Sequence, residues 1–188
     1  MTSIIKVDTI QTTSGNTVVS TDSNTVTIKD ASGTNTAMTI NSDGVVSTSA
    51  RPAFSAYRDS TTTEGLTGTV IFNGVYSNVG SHYNTSTGIF TAPVSGLYQF
   101  NFVGFGSNDT SGNYLAAGSS VMVSLMTSST VFARTYTAAA SSAIFPNMSF
   151  SAAIPLNAND EIYISVGSSY VYSDASDAYL RFSGYLVG

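Results

Sequence analysis

Apolar residues in this chain recur at every second position. Val26 and Ile28 alternate with threonines, and Ile40 alternates with polar neighbours. The same period returns later with larger side chains. Tyr98, Phe100 and Phe102 punctuate Gly96–Val103, Val121, Val123 and Leu125 punctuate Ser120–Met126, and Ile162, Ile164 and Val166 punctuate Glu161–Val166. A period of two is that of a strand with one face toward a core and the other toward water. Thr69–Val70–Ile71–Phe72 and Tyr179–Leu186 read as two further strands. Turn-forming clusters at Ser14–Gly15–Asn16, Ser32–Gly33, Asp43–Gly44 and Asn108–Asn113 separate the runs. The pattern predicts an all-β chain whose larger part folds as a sandwich or jelly roll.

Side-chain size divides the chain in two. All 10 Phe and 11 Tyr lie at or after Phe54. Residues 1–50 carry only thin runs: Ile4–Val7, Val18–Val19, Val26–Ile28, Met38–Ile40 and Val45–Val46. Such strands bury little surface alone. Their regular spacing, roughly ten residues, predicts an intertwined stalk or an attachment segment, set against the plainer reading of a floppy polar leader. Arg51–Pro52 opens the second part, and residues 51–188 are long enough for an independent core.

Composition narrows the function classes. Only 9% of residues are charged, against about 25% in an average soluble protein. Ser (31) and Thr (25) fill the gap, leaving little from which to build surface helices. Six basic residues against 11 acidic ones give no electrostatic footprint for nucleic acid. With no cysteine there are no disulfides, thiolate zinc sites or thiol nucleophiles. No apolar run approaches the roughly 18 residues that read as a membrane span. The opening MTSIIKVDTI lacks the apolar core of a secretory signal, so folding in the cytoplasm is expected.

The stretch Phe72–Phe102 resembles the signature of the globular C1q domain. That signature runs as a Phe, an Asn after five intervening residues, an aromatic, a Phe, then Gly-x-Tyr-x-Phe-x-aromatic. Phe72, Asn78, Tyr83, Phe90, Gly96, Tyr98, Phe100 and Phe102 fill its positions, and Gly88 falls in the turn before Phe90. Pro52–Tyr57 is similar to the family's first strand. Leu156–Ile164 and Phe182–Leu186 are similar to its last two. The resemblance covers residues 52–188 and implies a ten-stranded C1q/TNF-like jelly-roll sandwich assembling as a homotrimer. Secreted animal members carry a signal peptide and a collagen stem, and this chain has neither. Its Thr/Ser/Asn/Gly-rich leader instead resembles structural proteins of tailed bacteriophages, which use C1q-like modules as trimeric fibre knobs.

Candidate chemistry is sparse. His82 is the only imidazole, a base or threefold-repeated metal ligand in principle, but it sits inside the fold signature beside Tyr83 with no acid near it in sequence. Asp160–Glu161 is the one adjacent carboxylate pair, and neighbours on a strand point to opposite faces. The resemblance places that pair at the turn leading into a late strand. Asp174 and Asp177 flank Ala175–Ser176 and have oxygen donors suited to calcium, without a dedicated calcium-loop pattern. No phosphate loop, nucleophile elbow or zinc helix is present, so no enzyme and no cofactor are expected. Tyr170, Tyr172 and Tyr179 surround a Ser/Asp-rich loop, and Tyr114 lies in the Asn108–Gly118 loop. Rigid aromatics among adaptable polar groups are the make-up of binding loops. Core or trimer-interface tyrosines use the same residue, and both readings stand.

The expected protein is a non-enzymatic, homotrimeric phage virion fibre. Residues 1–50 would form its stalk or virion attachment, contacting other virion proteins. Residues 51–188 would form a C1q-like knob for adhesion to a host surface glycan or protein. The alternatives are a purely structural capsid, neck or decoration fibre, and a secreted bacterial C1q-like lectin.

Overall fold

A computed structural model describes residues 9–22, 24–48, 50–60, 64–140, 144–173 and 179–187. The run Ile4–Val7 lies outside the described residues. The chain divides into two compact units, Met1–Arg51 and Pro52–Gly188. Every element among the described residues is a strand.

The first unit is an antiparallel meander in the order β1-β2-β3-β4-β5. Its strands are β1 (Thr9–Gln11), β2 (Thr17–Asp22), β3 (Thr25–Lys29), β4 (Thr36–Ile40) and β5 (Val46–Ser47). The polar clusters between the runs close the turns. In the β3–β4 turn the Asp30 carboxylate accepts hydrogen bonds from the Ser32 hydroxyl (2.6 Å) and the Asn35 side-chain amide (2.7 Å). Those bonds to its charged form hold its pKa down to about 2. None of the unit's described residues is buried.

The second unit contains β6 (Ala53–Tyr57), β7 (Glu64–Thr69), β8 (Gly74–Val79), β9 (Tyr83–Asn84), β10 (Ile89–Thr91), β11 (Gly96–Ser107), β12 (Ser120–Met126), β13 (Val131–Ala138), β14 (Asn147–Leu156), β15 (Glu161–Ser173) and β16 (Arg181–Leu186). One layer runs β8-β6-β16-β11-β14. The other runs β9-β10-β15-β12-β13, with β7 also on β15. All these pairings are antiparallel. The layers join at one corner, where the end of β11 pairs with β15 through Phe105↔Tyr172, Gly106↔Val171 and Ser107↔Tyr170. Among the described residues this jelly roll has eleven strands rather than ten. The shortest is the two-residue β9, a hairpin tip paired with β10 at Asn84↔Ile89 and Tyr83↔Phe90.

The period of two fills the space between the layers. Along β11, Tyr98, Phe100 and Phe102 point inward. Phe54 sits among rings from both layers: Tyr83 at 4.7 Å, Phe90 at 5.1 Å, Phe182 at 5.0 Å and Phe100 at 6.4 Å between centroids. Two glycines make room. A Cβ on Gly184 would lie 2.5 Å from the Phe100 ring and 2.8 Å from the Phe54 ring. Gly88 has φ +76°, and a Cβ there would lie 2.4 Å from the Val70 carbonyl oxygen, so the turn admits no larger residue.

Thr69–Phe72 is not a strand. β7 ends at Thr69, after Gly68 adopts φ +69°, and Val70–Asn73 crosses to β8 as irregular chain. Val70 and Phe72 are still buried, so their alternation reports burial without a ladder. Side chains supply the missing partners. The Phe72 amide donates to the Tyr83 hydroxyl (3.2 Å), which donates to the Phe72 carbonyl (3.2 Å). Asn78 then clamps Tyr83, donating to its carbonyl (2.8 Å) and accepting from its amide (3.2 Å). Burial pushes the Tyr83 phenol well above its ordinary value, so the hydroxyl keeps its proton and can donate.

Tyr83→Phe strands the Phe72 amide and carbonyl in the core without creating a cavity. It should lower unfolding free energy by about 1–3 kcal/mol. Urea denaturation at unchanged m-value checks this; an unchanged midpoint would show that the hydroxyl bridge contributes nothing.

Candidate functional site

Five aromatic residues from separate parts of the chain meet at the corner where the two layers join. Phe105 lies near the end of β11, and its cross-strand partner Tyr172 lies near the end of β15. An irregularity between Val166 and Val171 reverses the alternation of β15. Ile162, Ile164 and Val166 are buried before it, Val171 and Ser173 after it, so Tyr170 and Tyr172 turn away from the interior. Leu115 and Ile144 form an isolated antiparallel bridge, with reciprocal amide-to-carbonyl bonds of 2.8 and 3.1 Å. That bridge sets Tyr114 against Phe145. The Gly106 amide donates to the Pro146 carbonyl (2.9 Å) and ties the segment to β11.

The rings form a continuous cradle. Tyr114 stacks on Phe145 at 4.2 Å. Phe145 lies 4.6 Å from Tyr172, Tyr172 lies 5.6 Å from Tyr179, and Tyr179 meets Phe105 edge-on at 5.6 Å. Phe105, Phe145, Tyr172 and Tyr179 line a half-open pocket of about 190 Å³. Tyr114, stacked on the outer side of Phe145, is 58% exposed and extends the aromatic surface beyond the pocket. The cradle offers apolar ring faces with phenolic hydroxyls, an arrangement that stacks against flat or ring-shaped groups and hydrogen-bonds their edges.

Of the tyrosines singled out by sequence, Tyr114, Tyr172 and Tyr179 converge here, and Tyr170 does not join the cradle. Phe105 and Phe145 were missed. Phe105 falls on the outward phase of β11, between buried Gly104 and Gly106, and nothing in the sequence around Phe145 marks it as a neighbour of Tyr114. The proposed calcium ligands Asp174 and Asp177 lie outside the described residues. Among the described residues no three His, Asp or Glu side chains are grouped as metal ligands would be. His82 is half-buried, and its carbonyl accepts from the Thr91 amide (2.9 Å). Asp160 closes the β14–β15 turn, its carboxylate accepting from the Asn157 amide (2.8 Å). Asp160 and Glu161 also border an open, hydroxyl-lined groove of about 420 Å³ with Thr127–Thr130, Phe132 and Asn159. Their neighbours there are hydroxyls and an amide, with no base to pair against.

The signature residues are placed structurally. Phe72, Tyr83, Phe90, Tyr98, Phe100 and Phe102 are buried, Asn78 and Gly88 fix the turns around Tyr83, and Gly96 opens β11.

This architecture defines a jelly roll of the C1q/TNF type. The chain belongs to the C1q domain family, which it matches over residues 53–187. The globular domain of zebrafish complement 1qA protein has the same fold, with 21% identity and a TM-score of 0.54 over 73% of this chain and 98% of that one. So does Eiger TNF from S. frugiperda, at 12% identity and a TM-score of 0.54 over 73% of this chain and 93% of that one. Among the described residues no helix is long and apolar enough to cross a membrane.

The rim of the cradle depends on an ionised carboxylate. Asp109 accepts from the Asn113 side-chain amide (2.8 Å) and from the Ser111 and Asn113 backbone amides (2.9 and 3.3 Å). These bonds, the Asn113 side chain first, lower its pKa from the ordinary 3.8. A lowered folded-state pKa means the loop's stabilisation is complete above that ordinary value and is lost as pH falls through the folded one. The Ser111 and Asn113 amide resonances should therefore shift on acidification below about pH 4 while the Leu115 amide holds. Signals from Ser111 and Asn113 that stay static while the Asp109 carboxyl resonance titrates would show that the carboxylate does not organise the loop.

Proposed function

We propose that this chain is a non-enzymatic, homotrimeric adhesion protein of a tailed-phage fibre or appendage. Its C1q domain is the knob, and residues 1–50 form the stalk or attachment to other virion proteins. The virion is assembled in the host cytoplasm. The observation that carries adhesion is the aromatic cradle: five rings from β11, β15 and three connecting segments, gathered at the corner where the two layers join. Pyranose rings present C–H faces that pack on such aromatic surfaces, with hydroxyls at their edges for the tyrosines. A host surface glycan is therefore the ligand class that fits best. One cradle of about 190 Å³ takes a single ring-sized group and binds weakly. Three identical cradles on one particle convert weak contacts into avidity.

The full chain should run in solution at three times 19.5 kDa, 58.5 kDa, by light scattering. Labelled trimer should adsorb to host cells and block virion adsorption in excess. Tyr114→Ala, at an exposed position, should weaken adsorption by about tenfold or more and leave the mass unchanged. A trimer that fails to adsorb favours the structural capsid or neck-fibre reading. A stable monomer removes the avidity argument.

A further inference from the structure

The first unit has one apolar face and one hydroxyl face, and the strand register shows how they are segregated. Directly paired residues share a face. Ile10↔Val19, Val19↔Ile28 and Ile28↔Met38 align one apolar row across β1 to β4. Val26↔Ile40 and Ile40↔Val46 align a second row on the same face across β3 to β5. The opposite face carries Ser20↔Thr27, Thr27↔Thr39 and Thr39↔Ser47, closed by a Thr39–Ser47 hydroxyl contact of 3.0 Å. Seven apolar side chains thus form one surface, ended by register shifts at which Gln11 pairs with Thr17 and Lys29 with Thr36, yet none is buried, and Ile10 and Val46 are 52% and 55% exposed.

Resting on the trimeric reading above, we infer that this face is covered by the same face of other copies of the chain. The sheets pack apolar side inward around a common axis, with the Ser/Thr rows outward. Three features select this occupant. The two apolar rows hold only Val, Ile and Met, with no charge that would have to be matched, so the surface is complementary to itself. The unit has no aromatic residue, so its short side chains let several sheets approach closely about one axis. The opposite face is already hydroxyl-lined and suited to water. Chain continuity adds to these: Pro52 follows β5 by only a few residues, so a trimer of the second unit holds three such faces at high effective concentration.

The chain has no cysteine, so single introduced thiols report without background. Ile28→Cys and Thr27→Cys are adjacent positions on opposite faces. Each is made in the full chain, its solution mass is measured, and it is treated with a mild oxidant or a short bis-maleimide. Expected are trimers for both variants, with inter-chain covalent dimers from Ile28→Cys and essentially none from Thr27→Cys. A trimer in which neither variant cross-links, and in which the thiol of the Ile28→Cys variant reacts rapidly with a monofunctional maleimide, overturns the inference and leaves the face open to a different partner protein. Equal cross-linking from both positions also overturns it, because the faces would not be segregated. A monomeric mass for the unmodified chain instead removes the trimeric reading itself. Ile28→Asp adds an independent readout: tryptic cleavage after Lys29 should accelerate at least tenfold relative to Thr27→Asp, and equal rates for the two variants would overturn the inference.

Discussion

The second unit depends on a layer of aromatic rings that joins its two sheets through Phe54. That residue lies on the first strand of the domain and touches Tyr83 and Phe90 of one layer and Phe100 and Phe182 of the other. Rings at centroid spacings of about 5–6 Å gain both from burial and from stacked or edge-on geometry. They also need backbone close by on either side. Gly184 gives the Phe54 and Phe100 rings their space, and Gly88 lets the hairpin turn pass against the Val70 carbonyl. The layer therefore constrains glycines close to its own rings, Gly184 two residues after Phe182 and Gly88 two before Phe90, and positions so placed tolerate little change.

Where the chain leaves its ladders, side chains replace the missing backbone partners. Val70–Asn73 runs beneath the core as irregular chain, and the Tyr83 hydroxyl serves the Phe72 amide and carbonyl together. Buried peptide groups without partners cost more than the modest net gain of a made hydrogen bond. Phe72, Asn78 and Tyr83 thus act as one device: Asn78 holds the Tyr83 backbone, and Tyr83 holds Phe72. The same logic orders the rim of the aromatic cradle, where Asp109 gathers the amides of its own loop. Ser107, buried at the end of β11, donates to the Asn113 carbonyl (2.8 Å).

The first unit solves a different problem. Its meander satisfies its backbone bonds and segregates apolar from hydroxyl side chains, yet it buries none of them. A sheet with one open apolar face gains little from folding by itself, because burial of that face is the main favourable term. Its pattern becomes consistent when other copies cover the face.

Much of this protein was legible in the order of its residues. The period of two at Tyr98–Phe102, Val121–Leu125 and Ile162–Val166 fixed those strands and their buried faces, because a pleated strand can present only alternate residues to a core. The loss of aromatics before Phe54 marked the division of the chain, because ring area is what builds a core within one chain. Other features needed the fold. β13 is an edge strand with no buried residue among those described, so no burial pattern announced it. Thr69–Phe72 alternates as a strand would, but its partners are a side chain and a distant carbonyl, which local sequence does not encode. The cradle joins Phe105, Tyr114, Phe145, Tyr172 and Tyr179 through an isolated bridge and a break in the alternation of β15. Long-range pairing alone sets which loop residues become neighbours, so the site exists only once the two layers have closed on each other.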